Sequence, residues 1–398
     1  MVSPAARPYI DASVPVLREH GLAITQTFYR NMFSAHPELT NLFNMGNQAA
    51  GVQQQSLAAA VFAYAANIDN AQALAPVVSR IVHKHASVGI KAEHYPIVGR
   101  HLLGAIQETL GSAATPALLA AWDEAYGELA DALVQAERSL YAQAGVTPGQ
   151  LHEMRVTEVR KESEDVVSFQ LIPLDGKPAP GFKPGQYISV SVAFADGSRQ
   201  LRQYSLSDAP CAEHLRISVK REKAGAETPA GRVSNWLHDH VAAGSTLQVT
   251  HPFGDFTPDT ESDAPIVLLS AGVGITPMVS VLNRIAHVNP NRHVIFGHAA
   301  RDGRHHAHQA DIAAARAAMP NLRVVTFYEQ VAADDKEVQA GLMEAARLPK
   351  WPHVETDVYL CGPLGFMQAQ WRSLVEAGVP PTRLHREVFG PDMLDHLG

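Results

Sequence analysis

Cysteine is scarce in this chain: Cys211 and Cys361 are the two among its 398 residues. Two thiols cannot frame a disulfide-stapled fold, and such usage points to a reducing compartment. No apolar run approaches the ~20 residues that a bilayer-spanning helix requires. The opening stretch, Met1-Val2-Ser3-Pro4-Ala5-Ala6-Arg7, lacks a basic region followed by an unbroken apolar core, so it does not read as an export signal. Positive charge is in the minority, with 32 Lys and Arg against 40 Asp and Glu. The resulting net charge of -8 disfavours nucleic acid or an anionic membrane as a partner. These absences lead us to expect a cytoplasmic monomer that acts on small molecules, without stable membrane association. Hydrophobic residues make up 46%, ample for buried cores, and the length suggests two or three domains.

Mid-chain, Arg202-Gln203-Tyr204-Ser205 closes one strand and opens a turn, with Leu206-Ser207-Asp208 behind it. The guanidinium can neutralise a pyrophosphate, the phenol ring can lie against an isoalloxazine, and the serine hydroxyl can bond the flavin edge. On one side lies a helical segment with a candidate haem ligand, on the other an α/β segment with a nucleotide loop. A flavin held here would relay between the two.

Residues 1–145 are rich in Ala, Leu and Gln at helical spacing, which predicts an all-α domain of six or more helices. Pro37, Pro76, Pro96 and Pro116 fall where first turns are expected, since a missing N–H costs nothing there. After Pro76, Val77, Ile81 and His85 share one face, whereas His83 and Lys84 point elsewhere. A lone inward imidazole is more often a core histidine bonded to backbone. Glu137 shifts that balance. It lands on the apolar face of Trp122, Tyr126, Leu129, Leu133 and Leu140, and a buried carboxylate demands partners. Tyr95 and His85 can serve, and a His–Glu contact fixes the imidazole tautomer for a metal on the other ring nitrogen. Opposite, Gln53, Leu57, Val61, Tyr64 and Ile68 recur at helical spacing, Tyr29 adjoins the stripe of Phe28, and Phe43 follows the Pro37 turn.

Beyond the linker Gly145-Val146-Thr147-Pro148-Gly149, residues 146–260 carry β-branched runs near 156–159, 166–171, 187–192 and 215–219. They predict a small antiparallel β-barrel. Gly231-Arg232-Val233-Ser234 reads as a loop and helix start whose free N–H groups suit a pyrophosphate. In residues 261–398, a buried strand runs from Pro265 to Ser270. Ala271-Gly272-Val273-Gly274-Ile275-Thr276 then turns into a helix, shorter than the full dinucleotide fingerprint. Strands near 293–297, 323–328 and 357–360 alternate with helices, the pattern of an α/β parallel sheet with a crevice at its strand ends. Cys361-Gly362-Pro363 arrives at that edge, beside a nicotinamide or as a buried structural thiol. Glu387-Val388-Phe389-Gly390-Pro391 follows, with Phe389 able to cover a flavin. His305, His306 and His308 read as an exposed loop rather than a metal site.

In this order the motifs from the linker onward resemble the ferredoxin–NADP reductase family. With the helical segment ahead, the whole chain resembles the bacterial flavohaemoglobins, nitric oxide dioxygenases. The resemblance implies haem b, FAD and NAD(P)H as cofactors, with electrons passing from NAD(P)H through FAD to the haem. It implies that nitric oxide and O2 become nitrate. It further implies His85 as proximal iron ligand, Tyr95 and Glu137 as its hydrogen-bonded relay, and Tyr29, Gln53, Phe43 and Leu57 around the oxygen site. Tyr187, the Arg202–Ser205 run and Val388, Phe389, Gly390 and Pro391 would touch the flavin, and residues 271–276 the nicotinamide. Lys84 and Glu387 would lie where the haem and flavin domains meet. Two other readings stand beside this one: an NAD(P)H-dependent alkyl hydroperoxide reductase or diaphorase, and an oxygen sensor or store. The choice of NADH or NADPH turns on contacts around Arg301 and Arg304.

Overall fold

The computed structural model describes residues 2–225, 229–332 and 337–391. The first segment is helical: α1 (Arg7–Ala35), α2 (Met45–Ala49), α3 (Val52–Ala66), α4 (Ala71–Val88), α5 (Tyr95–Leu110) and α6 (Pro116–Ala144). Side-chain caps start several of them. Asn44 Oδ1 accepts from Gly46 N at 3.0 Å ahead of α2, and Thr115 Oγ1 from Leu118 N at 3.2 Å ahead of α6. Ile10, Ile24, Phe28 and Met32 of α1 pack on Leu102 and Ile106 of α5 and Trp122 of α6. Each such side chain contributes roughly 1.5–3 kcal/mol on burial. Leu57, Val61 and Phe43 pack against this core and are only partly buried.

Strands β1 (His152–Lys161), β2 (Val166–Pro173), β3 (Tyr187–Ala193), β4 (Arg199–Ser205), β5 (Leu215–Lys220) and β6 (Thr246–Val249) form the second unit, with α7 (Arg232–His240) between β5 and β6. The sheet order is β4-β3-β6-β1-β2-β5, and every pair is antiparallel. A bridge from Leu206 to Ile217 joins the far edges, closing the barrel over Met154, Phe169, Leu171, Ile188 and Val219.

In the third unit β7 (Ile266–Ala271), α8 (Ile275–Val288), β8 (Val294–Ala300), α9 (Gln309–Ala318), β9 (Leu322–Tyr328), β10 (Val338–Ala340), β11 (Asp357–Cys361), α10 (Leu364–Glu376) and β12 (Leu384–Glu387) build a wholly parallel sheet of order β10-β9-β8-β7-β11-β12. The strand order reverses between β7 and β11, which opens a crevice at their carboxyl ends. The expected sequence of all-α, antiparallel barrel and α/β sheet is thus the observed one. Among the described residues, no helix is long and apolar enough to cross a membrane.

Two local expectations fail. Pro76 does not open its helix, because the Asn70 side chain caps α4 a turn earlier, accepting from Ala73 N at 3.1 Å. The proline instead sits inside the helix, where its ring forgoes one backbone bond. The stretch around His305 is not an exposed loop either. His306 and His308 are buried, His306 Nδ1 lies 2.8 Å from the Tyr328 hydroxyl, and His308 is held between the second and third units.

Candidate functional site

His85 sits three residues before the end of α4, its side chain partly exposed. Its Nδ1 lies 2.8 Å from Glu137 Oε1 on α6 and 3.0 Å from the Tyr95 hydroxyl at the start of α5. Tyr95 also donates to the same Glu137 oxygen. A carboxylate only accepts, so Nδ1 carries the proton and Nε2 keeps its lone pair for another partner. Glu137 is 3% exposed. Burial, then the hydrogen bond and charge of Glu137, hold the Tyr95 phenol well above its ordinary range. Tyr95 is itself fixed from behind, its carbonyl accepting from the Tyr126 hydroxyl at 2.7 Å. That reach depends on Gly99, where a Cβ would stand 2.5 Å from the Tyr126 ring.

Tyr29 is buried in an aromatic set with Phe28, Phe33 and Phe43, the Phe43 ring meeting it edge-on at 5.8 Å. Burial pushes its phenol up to about 12, opposed by hydrogen bonds from Gln53 and Gln48. Gln48 in turn accepts from Gln54 Nε2 at 2.9 Å. Gln48 did not stand out in the sequence because α2 is a single short turn without periodicity, and Gln54 because it sits in α3 amid the run Gln53-Gln54-Gln55. Leu57 lies one turn beyond Gln53 on α3.

In the barrel, Tyr187 faces Ser205 across the β3–β4 ladder. The Ser205 hydroxyl is buried and has no hydrogen-bond partner, an acceptor and donor left for something the protein itself does not supply. Arg202 is largely buried, which lowers its pKa, and it bonds only neutral acceptors, Leu201 O at 2.7 Å and Gln200 Oε1 at 2.8 Å. Its charge stays available for an anion. Tyr204 is held up by burial foremost. Gln203 turns away, donating to Ser87 Oγ of α4 at 2.6 Å. Ser234 lies in the first turn of α7, which no side chain among the described residues caps, so its leading N–H groups have no side-chain partner there.

At the crevice, Gly272 adopts φ 53°, and a Cβ on Gly274 would stand 2.3 Å from the Cys361 carbonyl oxygen. The loop 271–276, with Val273 accepting from Thr276 Oγ1 at 3.0 Å and Ile275 opening α8, therefore packs directly on the end of β11. Ser270, Cys361 and Glu387 lie side by side in register across β7, β11 and β12. Burial, then Glu387, pushes the Cys361 thiol well up, so it is a protonated, inert group at neutral pH. Burial raises Glu387 to about 7 against the pull of Lys84 and Arg80.

The helical unit meets the other two units chiefly through one face of α4, with Asn41 accepting from Arg199 N at 3.2 Å and Tyr141 of α6 packing edge-on against Phe253. Lys84 Nζ donates to the carbonyls of Gly390 and, at 3.5 Å, Val388. Gly254 N donates to His83 Nδ1 at 3.0 Å, and Arg80 lies 4.0 Å from Asp255. Phe389 remains 47% exposed, and Pro391 is the last residue described. Near the former loop, Glu162, His308 and Asp311 place their ligand atoms within 4.8 Å of one another. Arg160 and Arg216 already bond those carboxylates, so the group reads as an ion-pair cluster rather than a cation site.

Comparison with known proteins agrees with this architecture. Residues 26–133 match the globin family, 153–257 the oxidoreductase FAD-binding domain and 268–371 the oxidoreductase NAD-binding domain. A flavohemoprotein of Bordetella parapertussis is 49% identical over 405 residues, covering 98% of this chain and 99% of the relative. The chain belongs to the flavohaemoproteins. A flavohemoprotein of Rhizobium meliloti is 45% identical over 402 residues, covering 99% of each. The crystal structure of a Malassezia yamatoensis flavohemoglobin with bound FAD and heme is similar with a TM-score of 0.87 at 30% identity, over 98% of this chain and 100% of that one. The FAD/NAD-binding domain of a nitric oxide dioxygenase from Vibrio cholerae gives a TM-score of 0.56 at 38% identity, over 60% of this chain and 99% of that one. Flavohaemoproteins join a globin to an FAD- and NAD-binding oxidoreductase, and this chain carries all three units in that order.

Proposed function

We propose that this flavohaemoprotein is a nitric oxide dioxygenase, a cytoplasmic monomer that turns nitric oxide and O2 into nitrate with electrons from NAD(P)H. The observation that carries the reading is the pinned imidazole of His85, with Nδ1 engaged by Glu137 and Tyr95 and Nε2 left for iron. When bound, haem supplies an open coordination position for a diatomic ligand, and FAD accepts hydride and releases electrons singly.

The residues divide the remaining work. Glu137 and Tyr95 keep His85 in one tautomer and enrich the lone pair of Nε2. Phe43 and Leu57 keep water from the pocket, and Tyr29, steadied by Gln53, offers a hydroxyl where negative charge develops on a ligand. Ser205 gives its unpaired hydroxyl to the flavin edge, Tyr187 and Tyr204 give ring faces, and Arg202 with the start of α7 at Ser234 gives positive charge to a pyrophosphate. Ala271, Gly272, Val273, Gly274, Ile275 and Thr276 cradle the dinucleotide, and Cys361 walls the crevice. Lys84 and Glu387 hold the helical unit against the flavin edge, with Val388, Phe389, Gly390 and Pro391 between them.

The test compares NADH consumption driven by nitric oxide with that driven by an alkyl hydroperoxide in the same preparation. Nitric oxide should be consumed far faster, with nitrate formed in equal amount. Faster turnover with the hydroperoxide would replace this reading by a peroxide reductase.

A further inference from the structure

A polar cluster lies outside the imidazole pocket and the nucleotide crevice, at the seam between barrel and parallel sheet. At its centre Asp311, in the first turn of α9, spends both oxygens. Oδ1 accepts from Arg216 Nη2 at 2.9 Å and Asn283 Nδ2 at 3.0 Å. Oδ2 meets His308 Nδ1 at 3.0 Å and Arg160 Nη2 at 3.3 Å. Arg160 and Arg216 come from β1 and β5 of the barrel, Asn283 from α8 and His308 from the residue before α9. The other nitrogen of His308 lies 2.9 Å from Ser218 Oγ, again on β5. Fully buried, His308 holds φ 61°, and it is the one non-glycine residue with positive φ among those described. Such a conformation costs on the order of 1 kcal/mol and persists only where its surroundings enforce it.

The seam also reaches both ligand-gripping stretches. The Arg216 guanidinium bonds the carbonyl of Ser207, two residues past Ser205. Asn283 Nδ2 donates to Asp208 Oδ1 at 2.9 Å, and Ser280 Oγ to the Asp208 carbonyl at 2.7 Å. Ser280 and Asn283 lie on α8, the helix that begins directly after Gly272–Gly274. Contacts between domains of one chain are loose by default, and a buried ionic group is a poor source of stability. Its use is geometric: Asn283 and His308 hold the carboxylate within its own unit, and the two arginine bonds that reach it from the barrel define the relative placement of the two units.

We propose that Asp311 is a positioning residue for hydride transfer, setting how closely and at what angle the nicotinamide meets the flavin. The proposal rests on the electron path of the preceding reading. Reacting atoms must approach to about 3–3.5 Å, and a displacement of about 1 Å costs on the order of a hundredfold in rate.

Anaerobic stopped-flow reduction of the FAD-replete holoprotein by NADH tests it. Asp311→Ala should slow flavin bleaching at saturating NADH by about tenfold or more. It should also weaken the long-wavelength nicotinamide–flavin charge-transfer band while apparent NADH affinity stays within about twofold. Asp311→Asn, which keeps the shape and one acceptor, should recover much of the rate. Haem reduction after chemical reduction of the flavin should be unchanged. Arg160→Gln, on the more exposed arm, should shift the rate in the same direction by less, and it decides the matter if Asp311→Ala does not fold. An unchanged saturating rate in the folded variant, or a loss carried wholly by NADH affinity, overturns the proposal. If NADH fails to bleach the unmodified protein, the electron path fails instead.

Discussion

At the scale of single residues, the informative groups are those whose chemistry contradicts their surroundings. Glu137 is a carboxylate on an apolar face, and Tyr29 a hydroxyl inside an aromatic cluster. Glu137 was legible in the sequence because helical spacing placed it inward, where burial demands partners, and the demand was met by the two residues able to meet it. Replacing Glu137 by Gln keeps an acceptor oxygen for Nδ1 and the Tyr95 hydroxyl but removes the negative charge that enriches the Nε2 lone pair. We expect turnover to fall well beyond any change in oxygen affinity, and an equal fall in both would remove Glu137 from the relay. Tyr29→Phe deletes the only hydroxyl of its aromatic set. Oxygen dissociation from the reduced protein should quicken by about tenfold, the worth of one good hydrogen bond, and an unaltered rate would place Tyr29 outside the pocket. Gln48 escaped notice because α2 is too short for periodicity to register, and Gln54 because it is one amide in the run Gln53-Gln54-Gln55; only the folded chain brings Gln48 to Tyr29 and Gln54 to Gln48.

At the scale of elements, α4 was half read. Its apolar side and His85 follow from spacing, whereas Arg80, His83, Lys84 and Ser87 recur at i, i+3, i+4 and i+7 on the other side. A polar stripe of this kind ordinarily faces water. Here it faces the barrel and the chain beyond β12, and nothing in α4 alone could say so. Short strands were missed for a similar reason: β6, β10 and β12 span three or four residues, too few for alternation to register. The Gly-rich loop after β7 was read correctly as a turn, but the reason for Gly274 is steric rather than conformational. Its φ of -61° suits any residue, while a Cβ would collide with the Cys361 carbonyl. Gly274→Ala should therefore push the loop off β11, at a cost of about 1–3 kcal/mol in stability. A lowered Tm and weaker NADH binding by fluorescence titration would register this, and wild-type values in both would refute it.

For the whole molecule, the order of three units was plain from composition and period, whereas their mutual seams were not. Seams are written in single charged residues, each of which reads as solvated until its partner is known. Glu387 is the clearest case: the family resemblance put it at a junction, but its own sequence context did not. Burial raises its pKa from 4.5 to about 7, so the fold prefers it protonated. The folded state then binds a proton that the unfolded chain has released, and stability declines as pH rises from about 4.5 to about 7. The total is on the order of 3 kcal/mol. Urea unfolding at about pH 5 and about pH 8 should show this decline, and Glu387→Gln should flatten it. A variant with the same pH slope as the parent would show that another group is responsible.

The bond from Lys84 to the carbonyls of Val388 and Gly390 spans 304 and 306 positions of sequence. During synthesis the globin unit is thus complete long before the residues that clasp it to the FAD- and NAD-binding units have left the ribosome. This contact can therefore form only after nearly all of the described chain has been made.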